Sequence, residues 1–307
     1  MIELWRGNAN AWECDELGHL NVRFYLAKGM QAVANLAAAS GLSDAYCASA
    51  TATLIPQDIH IRFLAEARPG APLLIRGGFL DVRENEADLV LAMRHGGDDR
   101  LAATLRLTLA HADPRSGRIF PWPSRFRARA ETLKTQSPKD AAPRGVTSSA
   151  WEAGPSLERA DALGLETLGR GRFGVEEMDV FGRLRPEFLL GRVSDSVVHF
   201  AKAFPEEAAF HAGKTETALS GALLETRIGP RSWPRAGDGY VVRSGLRAAN
   251  EKVRMLVHWV LDPESGRPWW TMEGVACAMN LEARRLAPAQ GEILDQLHAA
   301  IIPDLNA

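Results

Sequence analysis

Cys14-Asp15-Glu16-Leu17-Gly18-His19-Leu20 decides how this chain is read, because it has a partner 164 residues further on, Met178-Asp179-Val180-Phe181-Gly182-Arg183-Leu184. In both stretches an Asp precedes a Gly by three residues, a spacing that suits a tight turn. A match this short carries weight only if later landmarks recur in the same order. Arg68-Pro69-Gly70 is answered by Arg235-Ala236-Gly237, Asn85-Glu86 by Asn250-Glu251, and Ala103-Thr104 by Trp270-Thr271, at offsets of 167, 165 and 167 residues. The near-constant offset marks two diverged copies of one module, with small loop insertions accounting for the drift.

Outward from the paired turns, each copy is predicted to open with a short strand and the turn, followed by a helix. After Val22 the apolar positions Tyr25, Leu26, Met30, Val33 and Leu36 recur at helical spacing, and Gly41 suits the end of that helix. The second copy repeats the pattern with Leu189, Val193, Val197, Phe200 and Phe204, and Pro186 stands near the start, where a missing amide does no harm. Strand-like runs come next, at 59–64, 73–82, 87–94 and 101–112, then at 223–228, 240–248, 253–261 and 269–281. The breaks between them are short. Parallel neighbours would need longer crossovers, so each sheet is expected to be antiparallel. The first module is assigned residues 1–136 and the second 169–307. Between them a linker at 137–168 includes the Pro-, Ser- and Ala-rich stretch 137–155, and short helices are predicted at 125–133 and 156–168.

Composition narrows the function classes. The chain has 307 residues, 46% of them hydrophobic and 24% charged, which suits two ordinary globular domains. Lys and Arg number 36 against 38 Asp and Glu, so the net charge of -2 offers no field for nucleic acid or an anionic bilayer. Cys14, Cys47 and Cys277 are far apart and form no C-x-x-C pair, which argues against a disulfide framework or a structural zinc site. No leader or membrane-spanning run is legible, so the expected location is the cytoplasm. Gly169-Arg170-Gly171-Arg172-Phe173-Gly174 fits G-x-G-x-x-G but lies outside any βαβ unit, so no dinucleotide site is expected there.

The segment Trp12-Glu13-Cys14-Asp15-Glu16-Leu17-Gly18-His19-Leu20-Asn21, followed by a helix carrying Tyr25, resembles the D-x-D-x-x-G-H-V-N motif of hot-dog-fold acyl-CoA thioesterases related to 4-hydroxybenzoyl-CoA thioesterase. Glu13 replaces the first acid, Asp15 matches the second, Gly18, His19 and Asn21 match in place, and Leu20 replaces Val. The resemblance implies an α+β fold of two tandem hot-dog modules, each an antiparallel sheet wrapped around a long helix, with the two sheets paired edge to edge. It implies hydrolysis of an acyl-CoA or acyl-ACP thioester in lipid metabolism, with no metal and no cofactor beyond the coenzyme A of the substrate itself. It leaves room for association into homo-oligomers.

The chemistry has physical reasons for these residue types. Thioester hydrolysis needs a group that attacks the carbonyl or activates water, and donors for the oxyanion that develops. Asp15 is the candidate nucleophile or general base, and His19 and Asn21 would orient the turn, polarise the carbonyl or place water. The backbone amides of Asn21 and Val22 are the candidate oxyanion donors at a helix N-terminus. Gly18 permits the turn. Read without the motif, Asp15 and Asn21 would be ordinary turn and cap residues. In the second copy Asp179 and Gly182 persist, but Arg183 and Arg185 stand where His19 and Asn21 stand in the first. That copy is expected to have a degenerate site or a different task, such as binding coenzyme A phosphates through its arginines. Asp195, on one face with Arg192, His199 and Lys202, is expected to be ion-paired, and the pair Trp269-Trp270 to serve core or interface packing. The rival readings are a dehydratase or hydratase of the same fold and a non-catalytic acyl-CoA binding protein.

Overall fold

The structure is a computed structural model that describes residues 1–151 and 154–307. Residues 152 and 153 of the predicted linker lie outside the described residues. The chain forms two compact units, one of residues 1–142 with 176–190, the other of 143–175 with 191–307. The turn at Asp179 therefore belongs to the first unit although its sequence belongs to the second copy.

In the first unit, β1 (Ile2–Asn8) leads through a 3-10 turn at Ala11–Glu13 to α1 (Val22–Ala39). Then come β2 (Thr53–Phe63), β3 (Pro72–Val82), β4 (Glu86–His95), β5 (Leu101–Ala112) and α2 (Ser124–Thr132). The strands lie in the order β1-β3-β4-β5-β2, all antiparallel, as the short connections predict. α1 buries Tyr25, Leu26, Lys28, Gly29, Ala32, Val33, Leu36 and Ala37, so four of the five predicted apolar positions face inward, Met30 is only partly buried, and Lys28 is a buried cation. A Cβ on Gly29 would come within 2.6 Å of Leu105 Cδ2, so this glycine lets the helix settle close against the sheet. Edge-to-face contact of Tyr25 with Phe63, 5.2 Å between ring centroids, closes one end of that packing.

The second unit holds α3 (Leu157–Ala162), β6 (Glu166–Arg172), the end of α4 (Glu187–Ser194), α5 (Pro205–His211), β7 (Leu219–Pro230), β8 (Gly239–Ala249), β9 (Arg254–Leu261), β10 (Pro268–Asn280), β11 (Arg285–Leu286) and α6 (Glu292–Ala299). Its strand order is β6-β8-β9-β10-β7, with β11 on β10, the same sequence of positions as in the first unit. That identity of topology is what a duplication requires. Trp259 and Trp270 are fully buried, Trp259 in a cluster with Leu165, Val241 and Leu305. Trp269 Nε1 donates to Gly239 O at 2.9 Å, so the tryptophan pair packs into the fold, as expected.

Two expectations are corrected. The second apolar helix was predicted to run as far as Phe204, but α4 ends at Ser194, followed by a 3-10 turn at Val197–His199 and then α5. Ser196 Oγ bonds back to Arg192 O at 2.8 Å, and the β-branched pair Val197-Val198 and Pro205 follow, so local chemistry overrides the apolar spacing. The helix predicted at 156–168 stops at Ala162, and Glu166–Leu168 open strand β6 instead. Gly164, at φ +66, ends that helix. The segment between the copies is tied down by hydrogen bonds. Arg62 Nη1 and Thr104 Oγ1 both donate to Asp140 O, at 2.9 and 3.0 Å, and the buried Glu225 carboxylate accepts from Arg144 N and Gly145 N at 2.8 Å each.

Candidate active site

The Asp15 turn is built from local rules. Asp15 N donates to His19 O at 2.9 Å, Gly18 N donates to Asp15 O at 3.0 Å, and Gly18 sits at φ +73, which only glycine adopts without strain. Asp15 Oδ1 accepts from Leu17 N at 3.1 Å and His19 N at 3.4 Å. No hydrogen bond reaches Oδ2 from any described residue. Burial pushes the Asp15 carboxyl above the usual carboxylate range, against the pull of the two amides that bond to it. The result is a carboxylate fixed through one oxygen, with the other open and more basic than a surface acid.

Around this turn, His19 Nε2 lies 2.7 Å from Glu66 Oε2. His19 is mostly covered, whereas the Glu66 side chain is 43% exposed. The carboxylate lies within ion-pair distance of the ring. Asn21 caps α1 through its side-chain oxygen, which accepts from Arg23 N at 3.0 Å. Asn21 N–H itself donates to Glu13 O at 2.9 Å, so the expectation that the Asn21 and Val22 amides act together as oxyanion donors is narrowed to Val22. Val22 N–H, the first amide of α1, has no acceptor among the described residues.

Glu13, the position of the motif's first acid, is occupied elsewhere. Both of its carboxylate oxygens meet Lys28 Nζ, at 2.8 and 2.7 Å, and Oε2 also accepts from Asn10 N at 2.9 Å. Lys28 is buried within α1, so this ion pair anchors the turn to the helix. Sequence reasoning missed both Glu66 and Lys28. Lys28 left a signal, a cation three residues after Tyr25 on the apolar stripe; Glu66 left none beyond its place before the Arg68-Pro69-Gly70 turn.

The second turn repeats the backbone of the first. Asp179 N donates to Arg183 O at 2.7 Å, Gly182 N to Asp179 O at 3.0 Å, Arg185 N to Glu177 O at 2.9 Å, and Gly182 sits at φ +74. Its chemistry differs. Asp179 Oδ2 accepts from Arg183 Nε and Nη2, at 3.2 and 3.0 Å, while Oδ1 accepts from Phe181 N and Arg183 N. Both oxygens are committed, and the landmark spacing puts Trp233 where the first copy has Glu66. Asp195 is paired with Arg192 at 3.3 Å, the structural role expected of it.

Two turns of one design, each ahead of a helix on an antiparallel sheet, define a tandem hot-dog protein of the α+β class. A family model of the thioesterase-like superfamily matches residues 9–130 and 173–297, the greater part of both copies, and the chain belongs to that superfamily. Among solved structures the fold is similar to an acyl-ACP thioesterase from Bacteroides thetaiotaomicron, with a TM-score of 0.64 at 10% identity over 89% of this chain and 96% of that one. It is similar to the 12:0-ACP thioesterase from Umbellularia californica to the same degree, with 10% identity over 89% of this chain and 92% of the other. At such identities the likeness concerns the fold alone. No curated protein matched the sequence.

Proposed function

We propose that the chain hydrolyses an acyl thioester, acyl-CoA or acyl-ACP, and that the first copy carries the chemistry. The observation that supports this best is the contrast between the two turns: the same backbone holds one aspartate with an open, basic oxygen and another closed by its own arginine. A carboxylate of raised pKa beside a histidine and a helix N-terminal amide is what hydrolysis of a thioester asks for.

In this reading Asp15 takes a proton from water, or attacks the carbonyl itself. His19, beside Glu66, donates a proton toward the carbonyl or the departing sulfur, and Val22 N–H faces the charge that gathers on oxygen. The sulfur leaves as a thiol once it receives that proton, and the acyl group leaves as a carboxylic acid. The second copy is assigned no independent catalysis.

Thiol release measured with a thiol-detecting reagent across a series of acyl-CoA esters tests the proposal. Asp15→Asn is expected to lower kcat by about 100-fold or more, the usual range for loss of a positioned base. Full activity in that variant would remove Asp15 from the mechanism, and tight acyl-CoA binding without thiol release by the wild type would turn the reading to a binding protein. A single turnover in 18O-labelled water tests the nucleophilic route, in which Asp15 expels the thiol to form a mixed anhydride that water then opens: label in Asp15 shows that anhydride opened at the Asp15 carbonyl, which a general base cannot give.

A further inference from the structure

Arg23 is the second residue of α1, whose first turn carries no acidic side chain. The helix dipole concentrates positive charge at that end, so a cation there is unfavourable unless an anion answers it. Among the described residues the Arg23 guanidinium has neither a hydrogen bond nor an ion pair. It lies over the rings of Phe24 and Phe188, 4.5 and 4.8 Å from their centroids. A second guanidinium, that of Arg185, stands 4.9 Å from the same Phe188 ring. Phe188 is itself buried, so one fixed aromatic ring directs two cations.

The charges do not cancel locally. Arg185 Nε meets Glu187 Oε1 at 3.4 Å, longer than the ~2.7–2.9 Å of a good charge-assisted bond, and no carboxylate meets Arg23. Two guanidiniums with one loose carboxylate leave a local excess of positive charge. All of these residues belong to the first compact unit, and Arg23 follows Asn21, the cap of the helix that faces the Asp15 turn. A planar cation seated on aromatics presents its N–H fork in a fixed direction, the geometry that suits phosphate oxygens.

We infer that Arg23 and Arg185, seated on Phe188, form a subsite for a phosphate group of the thiol carrier to which the acyl chain is attached. The inference rests on the thioester-hydrolase reading above and extends it to the carrier. That phosphate has three sources. One is the pantetheine 4'-phosphate, shared by the free coenzyme and the carrier protein; the second is the adenosine 5'-phosphate, joined to the pantetheine phosphate in the coenzyme; the third is the 3'-phosphate of the nucleotide, found only in the coenzyme.

The test uses one acyl chain on four thiols, pantetheine, 4'-phosphopantetheine, 3'-dephospho-coenzyme A and coenzyme A, with the full chain as wild type, Arg23→Gln and Arg185→Gln. The readout is the ratio of kcat/KM for each phosphorylated carrier to that for acyl-pantetheine, which cancels any loss of folded protein. Each variant is expected to lower the ratio about tenfold, mainly through KM, in line with a hydrogen bond to a charged group. Arg23→Lys and Arg185→Lys should recover part of it. A fall that begins with 4'-phosphopantetheine identifies the shared phosphate, one that first appears with 3'-dephospho-coenzyme A identifies the adenosine 5'-phosphate, and one that appears only with coenzyme A identifies the 3'-phosphate. A ratio unchanged in both variants overturns the subsite while leaving hydrolysis intact. A wild type that hydrolyses none of the four esters overturns the functional reading itself.

Discussion

A single carboxylate oxygen separates the two turns. Asp15 carries its charge at a cost, because burial raises its pKa. A raised folded-state pKa contributes stability that is fully present below the unfolded value, ~3.9 for Asp, and lost as pH rises through the folded value. At neutral pH the ionised Asp15 therefore burdens the fold. Asp15→Asn should melt at a higher temperature than wild type near neutrality, and the gap should close as the pH falls below the ordinary carboxylate value. Melting temperature against pH for both proteins checks this, and a gap independent of pH would contradict it. Asp15, Gly18, His19 and Asn21 were legible because a turn is a local object whose residue types follow from φ and from side-chain caps. Glu66 was not, since its meeting with His19 depends on how β2 and the following turn come back past the motif.

Among the elements, α1 carries more than apolar packing. The Lys28–Glu13 pair is almost wholly buried, with side chains 4% and 12% exposed, and it joins the helix to the residue whose carbonyl holds Asn21. Removing one partner of such a pair leaves an uncompensated charge. Lys28→Met should cost about 3–5 kcal/mol in chemical denaturation, and Glu13→Gln added to it should return part of that loss. The strands were read well where turns are strong: 101–112 matches β5 in full. β2 begins six residues before the predicted start because Pro56 sits at a register shift between Pro56 and Asp58, where a strand tolerates proline. The second helix was read too long for a related reason, since apolar spacing says nothing about a serine bonding back to its own helix.

At the scale of the molecule, the proposed reading assigns catalysis to the first copy alone. Asp179→Asn should leave kcat per folded molecule close to wild type while lowering stability, because Arg183 then loses its carboxylate; steady-state kinetics alongside thermal melting would show both. The second unit also contains a pH-sensitive core. His258 is buried with Nδ1 2.7 Å from Ser244 Oγ, and burial lowers its pKa from 6.5 to about 3. The unfolded chain takes up this proton near 6.5 and the folded chain only near 3, so stability present above the upper value is lost as the pH falls between them. Melting temperature should decline across that window, and His258→Gln should flatten the slope. Among the described residues, no helix is long and apolar enough to cross a membrane.

The second turn shares the scaffold of the first, since Gly182 and the amides around Asp179 build the turn whether or not anything is hydrolysed there. A protein engineer thus inherits a ready-made frame. Arg183→His would free one carboxylate oxygen, but Arg185→Asn and Trp233→Glu would also be needed to rebuild the rest.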